Sequence, residues 1–386
     1  MKIGILAPSI YMSPMHFAEM IFAPRDLAVS LADGLVDRGH DVYLFTAPDI
    51  KTKAHLVGGA DELIGDDYVL EKMRETGGPR FIWASFYGRK NDYEADLTAQ
   101  CFQMAMDKQL DIVHSYHDQL AHFFEDATHT PTVYTLHDPL PTKQNDLTYW
   151  LYTKYHDHHY VSISDAFRRH DSLKLNFVDT VYHGLDLQSI PYRATPSDYL
   201  LFMGRMVPEK GLHVAIAAAI AAKRPLEIGT HFPDDTEKNP YFDKEIKPYL
   251  SNSLIKEPGM VTNHKKMTLY GHAKALLFPI GWEEPFGMVL VEAMACGTPV
   301  IAYNRGSVAE IVKDGVTGFI IDDDTGDRRN QGNLVIKQKG VAGLVEAIRR
   351  IEEIDRAACR KHVEEKFTIE KMVEGYEKVY QKILSQ

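Results

Sequence analysis

The stretch Gly281–Val300, GWEEPFGMVLVEAMACGTPV, sets two glutamates, Glu284 and Glu292, eight residues apart around a Pro-Phe-Gly turn. Glu292 lies inside an apolar run, VLVEAMA, where an unpaired carboxylate would be costly to bury. Pro285 is placed like the first-turn proline of a helix running to Cys296. That reading puts Glu292 about two turns into the helix, on roughly the side of Glu284. The amides near Gly287, Met288 and Val289 then leave the helix start toward the end of the preceding run ALLFPI, and such a start attracts anions. A ribose diol would suit the carboxylate of Glu292; a neighbouring lysine or backbone group would satisfy it equally.

Outward from this stretch the chain alternates strand-length apolar runs with helical patterns. DYLLFMGR, PLEIGTHF, ALLFPI, PVIAY and GFIID read as strands, with GLHVAIAAAIAAK as a helix. The same grammar precedes it. KIGILAP opens the chain, Leu27, Leu31 and Leu35 recur at helical spacing, and DVYLFTAP, DIVHSY, TVYTLH, YVSIS and TVYHGLD follow as strands. Parallel βαβ units in two domains are expected, over residues 1–193 and 198–367, with ATPSD (194–198) as linker. The pattern TIEKMVEGYEKVYQKILS, within 368–386, is a last helix that could dock on either half. Ligands of such sheets bind beyond the carboxyl ends of strands.

The composition limits what could bind. With 43 basic and 54 acidic residues among 386, the formal charge is −11, so nucleic acid or an anionic membrane is not held by bulk charge. An anionic ligand needs a local cationic pocket. Cys101, Cys296 and Cys359 form neither a metal spacing nor a disulfide framework, which fits a reducing cytoplasm. No stretch has the length of a membrane span or the layout of a signal peptide.

The strongest cationic candidate is LLFMGRMVPEKGLH. Arg205 and Lys210 flank a strand-to-helix turn, and Gly204 and Gly211 are expected to give the backbone room. Arginine can fork onto two phosphate oxygens and lysine adds a point charge, although either could be an ordinary surface residue. In the first half several histidines follow strands, notably His117 and His137. HDHH (156–159) invites a zinc reading without supporting carboxylate or cysteine spacing, and solvated loop carboxylates explain the DDD at 322–324 better than a metal site does. Ser162 and Ser164 border a strand end or cap the next helix. The aromatic run 148–160 could line an acceptor path or simply pack.

Together these motifs resemble glycosyltransferase family 4, the retaining GT-B enzymes. The resemblance rests on Glu284-Pro285-Phe286-Gly287, Glu292, the entry Ala295-Cys296-Gly297-Thr298-Pro299-Val300, and Gly204-Arg205 with Lys210-Gly211. It implies an α/β GT-B chain, two facing Rossmann-like domains with an interdomain cleft, whose last helix packs back on the first domain. It further implies transfer of a hexose from a UDP- or GDP-sugar to a hydroxyl acceptor on the same face; with Arg205, Lys210 and a helix start to take the phosphate charge, no metal and no cofactor are expected. By the resemblance, Glu284, His137, Arg205 and Lys210 are catalytic. Gly204, Phe286, Gly287, Met288, Val289 and Glu292 join them around the donor, Glu292 on its ribose and Glu284 on its sugar. Base recognition is assigned to backbone near 258–262.

The family's paired glycines are missing from MIFAPRDLA (20–28), where Pro24 removes an amide and Arg25 could act as a substitute cation beside His117 on the acceptor side. A nucleotide-sugar epimerase, a sugar phosphorylase and a binding module without turnover remain open. An acceptor-dependent product separates them.

Overall fold

Short apolar runs buried on both faces form parallel strands, and this chain builds two sheets from them. The first contains β1 (Lys2–Leu6), β2 (Asp41–Thr46), β3 (His55–Gly58), β4 (Ile112–Ser115), β5 (Thr132–Leu136), β6 (His159–Ser162) and β7 (Phe177–Thr180). Their order is β3-β2-β1-β4-β5-β6-β7, every neighbouring pair parallel. The second contains β8 (Leu200–Met203), β9 (Leu226–Thr230), β10 (Gly259–Met260), β11 (Ala275–Phe278), β12 (Val300–Tyr303) and β13 (Gly318–Ile321), ordered β10-β9-β8-β11-β12-β13 and again parallel. The computed structural model describes residues 1–15, 22–60, 79–116, 119–142, 147–169, 172–230, 239–256, 259–325 and 333–386.

Each sheet reverses its winding once, between β1 and β4 in the first and between β8 and β11 in the second. A crevice opens beyond the strand ends at such a reversal, because the crossover helices leave toward opposite faces. The switch points therefore locate the two places where ligand chemistry can be built.

The chain divides into one compact unit of Met1–Ile163, Asp171–Val181 and Met372–Gln386, and another of Ser164–His170 and Tyr182–Lys371. The second unit thus takes more of the chain than the sequence division at 194–198 allots to it. ATPSD is not a free linker: Ser197 donates its amide to the carbonyl of His272 at 2.7 Å, and Asp198 pairs with Arg224 at 2.7 Å. TVYHGLD is likewise not a strand. β7 ends at Thr180, and the chain leaves that sheet so that Leu185 can bridge Thr368.

In the first unit the helix Ala23–Asp37 buries Leu27, Leu31 and Leu35, the repeat visible in the sequence. Pro24 occupies its first turn, where no intrahelical amide bond is lost. The C-terminal helix, Ile369–Leu384, buries Met372, Val373, Tyr376, Val379, Tyr380 and Ile383 along one stripe. Its two tyrosines meet a fully buried imidazole. His114 Nδ1 is 2.7 Å from the Tyr380 hydroxyl and Nε2 is 2.8 Å from Thr135 Oγ1, which lies 2.9 Å from the Tyr376 hydroxyl.

Burial pushes the pKa of His114 down to about 3, from 6.5. The unfolded chain therefore takes up a proton that the folded one refuses. Stability is complete above the unfolded value and falls with pH between the two, by about 1.4 kcal/mol per pH unit for this residue. Urea midpoints followed from neutral to acid pH should decline less steeply in His114→Gln than in the parent. Parallel slopes would remove this imidazole from the acid response.

Candidate active site

At the reversal in the second sheet, the loops after β8, β11 and β12 converge. β8 is followed by Gly204, Arg205 and a tight turn, Pro208–Lys210, that ends at Gly211 with φ +75°. A Cβ on Gly211 would sit 2.0 Å from the carbonyl oxygen of Pro279, so only glycine lets this loop close on the end of β11. Gly204 has no such role, since a Cβ there would make ordinary contact, 3.7 Å from the Phe202 ring. The closure continues where Gly281 donates its amide to the Glu209 carbonyl at 2.8 Å.

The result is a contact that the sequence could only imply. Lys210 Nζ lies 2.8 Å from Glu284 Oε2, with 15% and 11% of the two side chains exposed. Trp282 Nε1 donates to the same oxygen at 2.8 Å, and its ring lies beneath the ammonium, 4.6 Å from centroid to Nζ. One carboxylate oxygen thus takes two donors, while the lysine keeps donor capacity for a further acceptor.

The turn bearing Glu284 is fixed from several directions. The amide of Ser307 donates to the Glu284 carbonyl at 3.0 Å, Ser307 Oγ to that of Phe286 at 2.6 Å, and Ser164 Oγ to that of Pro285 at 2.6 Å. Ser164 also accepts the amide of Phe167 at 3.0 Å, so it caps the short helix Asp165–Arg169 as well. Phe286 is an anchor rather than a ligand-facing ring. It is 2% exposed and packs against His183, edge to face at 4.8 Å, and against Tyr182 and Phe367.

The helix begins later than the sequence suggests. It spans Met288–Ala295 behind Gly287, whose φ of +87° ends the turn and excludes Pro285 from a helical position. Glu292 is consequently about one turn inside, not two. The N-cap residue of this helix, Gly287, has no side chain with which to cap the amides of Met288 and Val289.

Glu292 is buried with partners of its own. Lys266 Nζ lies 2.7 Å from Oε1, and the Tyr270 hydroxyl lies 3.0 Å from Oε2. Lys266 and Tyr270 stand four apart on the helix Asn263–His272, so one face presents both donors. This spacing was readable in the sequence, but nothing in it assigned that face to Glu292. Burial, and next the negative charge of Glu292, push the neighbouring Cys296 thiol up to about 12, away from nucleophilic use.

Arg205 is exposed at the β8 end and carries no ion pair with any described residue. The other arginine at these strand ends is engaged: Arg305 pairs with Glu283 at 3.2 Å and, through Nε, with Asp323 at 2.8 Å, while Gly306 donates its amide to Glu283 at 2.7 Å. Asp322 accepts from Asn304 at 3.2 Å. These acidic residues of the 322–324 run therefore hold the loop behind Glu284. Among the described residues no group of three His, Cys, Asp or Glu side chains has a metal-binding arrangement.

The first unit has its own concavity, of about 580 Å³, beyond β1, β4 and β5. His137, directly after β5, lines it and has Nε2 2.7 Å from the Tyr116 carbonyl. Thr148 and Tyr152 of the aromatic run also line it, whereas Tyr155, His158 and Tyr160 pack around His122. His158 Nδ1 lies 2.9 Å from His122 Nδ1 and 2.8 Å from Glu125, which accounts for part of HDHH. Arg25 is buried at the start of its helix, 3.7 Å from Asp26, and does not line the concavity. His117 lies outside the described residues, as does Pro258 of the 258–262 stretch.

Two doubly wound parallel-sheet units, one with a lysine–glutamate contact at its switch point, define a GT-B architecture. Solved structures share it over the full chain: sucrose-phosphate synthase from Thermosynechococcus elongatus (TM-score 0.68, 16% identity, covering 100% of this chain and 99% of that one) and Anabaena HepE in complex with UDP and glucose (0.64, 18%, 99% and 100%). The family model for glycosyl transferases group 1 matches residues 191–364, and that for glycosyltransferase family 4 matches residues 27–189. The chain belongs to this glycosyltransferase family. The putative glycosyltransferase YtcC of Bacillus subtilis is 29% identical over 231 residues, 53% of this chain and 54% of that protein. The chain spans about half the length of the curated relatives it matches. Among the described residues no helix is long and apolar enough to cross a membrane.

Proposed function

We propose that this chain is a retaining hexosyltransferase that moves a sugar from a UDP- or GDP-sugar to a hydroxyl acceptor without a metal ion. The observation that carries the reading is the Lys210–Glu284 contact beside the exposed Arg205 at the switch point. A nucleotide diphosphate placed there meets two cations and the start of the helix Met288–Ala295 behind Gly287. These charges offset the negative charge that builds on the diphosphate as the glycosidic bond breaks, and so take the place of a divalent ion. Glu284 then holds sugar hydroxyls. Glu292 holds the ribose, sharing its oxygens with Lys266 and Tyr270. The acceptor enters through the first unit's concavity and attacks on the face the diphosphate leaves, with His137 orienting it. Three buried free thiols suit a reducing cytoplasm.

The test is a panel of nucleotide sugars, first for thermal stabilisation and then for transfer, with EDTA present and absent and the product anomer read by NMR. One stabilising donor, EDTA resistance and a retained anomer are expected. Inverted product would remove the same-face mechanism, loss of activity in EDTA would remove metal independence, and a changed free sugar without acceptor would favour the epimerase. Arg205→Ala supplies a clean variant. An exposed side chain of this kind contributes little to folding, so the variant's stability should match the parent within about 0.5 kcal/mol. Its transfer rate should nevertheless fall by roughly 30-fold or more, the loss of one transition-state charge contact. An unchanged rate would take Arg205 out of the site.

A further inference from the structure

We propose that the concavity of the first unit takes an uncharged polyhydroxylated ring, a saccharide or cyclic polyol, and that the Lys90–Glu94 pair makes it reject anionic acceptors. This rests on reading the concavity as the acceptor site. The volume of about 580 Å³ suits a mono- or disaccharide-sized ligand. Its walls offer the two chemistries that such a ring needs. Tyr11 and Phe22, with ring centroids 5.8 Å apart, line it and supply apolar surface for C–H groups. Asn91, Gln119, Thr148 and Asp138 present donors and acceptors to hydroxyls. Burial, and next the charge of Asp138, raise the pKa of Tyr152, which stays a neutral phenol able to donate.

Charge decides against the alternatives. Lys90 is the one cation among the described lining residues, and it stands one turn before Glu94 on the helix Pro79–Met106. Its Nζ is 2.6 Å from Oε1 and 2.7 Å from Oε2 of that glutamate, with 23% and 13% of the side chains exposed. The ammonium is thus neutralised before any ligand arrives, and Asp138 adds a negative charge. A phosphate or carboxylate entering here loses hydration, finds no free cation among the described lining residues and meets the negative charge of Asp138. A neutral ring meets no such penalty.

The experiment uses the whole chain and calorimetric or ligand-observed NMR titration with glucose, maltose and myo-inositol, against glucose 6-phosphate and glucuronate. The parent should bind at least one neutral ligand about tenfold more tightly than its anionic counterpart. Glu94→Gln, nearly isosteric, frees the Lys90 charge and should move that ratio by about tenfold toward the anions. Tyr152→Ala should lose the neutral ligand, with circular dichroism checking the fold of both variants. Tighter anion binding to the parent, a ratio unmoved by Glu94→Gln, or no Tyr152-dependent binding across the panel would each overturn the proposal. Donor stabilisation is read separately, through second-unit residues, so failure of the transferase reading leaves a different trace.

Discussion

Lys210→Ala should lower kcat/KM for sugar transfer by roughly 30- to 1000-fold, about 2–4 kcal/mol of transition-state stabilisation. The ammonium is the positive group nearest the candidate catalytic carboxylate, held over Trp282 and bonded to Glu284 Oε2 at 2.8 Å. Its removal acts twice. The departing diphosphate loses a cation whose charge is only lightly screened by water, and Glu284 keeps the Trp282 indole N–H as a donor. The fold should survive, because the neighbouring turn is set by the Gly211–Pro279 approach and by backbone bonds rather than by the lysine head. Lys210→Arg should recover only part of the rate, since a planar fork replaces a compact charge. Steady-state kinetics on folded protein decides the matter. A kcat/KM within twofold of the parent would mean that the Lys210–Glu284 pair is structural only.

Glu292→Ala should have the largest effect on stability. It strands the Lys266 ammonium, 6% exposed, in the interior, and breaking a buried pair in this way costs about 3–5 kcal/mol. For a unit of this size that lowers the melting temperature by roughly 6–20 °C. Activity loss in this variant alone would therefore be ambiguous. The double variant Glu292→Ala/Lys266→Met separates the two roles, because an apolar replacement of both partners removes the stranded charge. Stability should return largely to the parent value while nucleotide affinity stays weak. If affinity returns along with stability, Glu292 serves the fold and the ribose role falls. If the single variant melts like the parent, the Lys266–Glu292 pair contributes nothing to the fold.

Much of this was legible from residue order. The apolar runs at 200–203, 275–278 and 300–303 are strands because they are buried on both faces, and the Leu27, Leu31, Leu35 repeat marks a helix against the sheet. Glu284, Lys210 and Gly211 were singled out by motif, and the fold brings them together. Other points were not legible. Pro285 passes for a helix start until the positive φ of Gly287 is seen to end the turn. Phe286 stands in the motif like a ligand contact, yet its ring fills an aromatic pocket made with His183 and Phe367, which are distant in the chain. Local sequence gives no sign of such partners.

The sequence alone determined the alternation of strands and helices, and with it the class of fold, because burial on a sheet or along a helical stripe imposes a period on the residues. It also placed chemistry-bearing side chains in loops after strands. Only tertiary structure decided which of them meet: Lys266 and Tyr270 on Glu292, Trp282 and Lys210 on Glu284, Lys90 with the walls of the first unit's concavity, and Arg205 in solvent. Strand order sets those meetings. β8 and β11 are neighbours in the sheet although more than seventy residues separate them in the chain, and a period carries no information about which strand lies beside which.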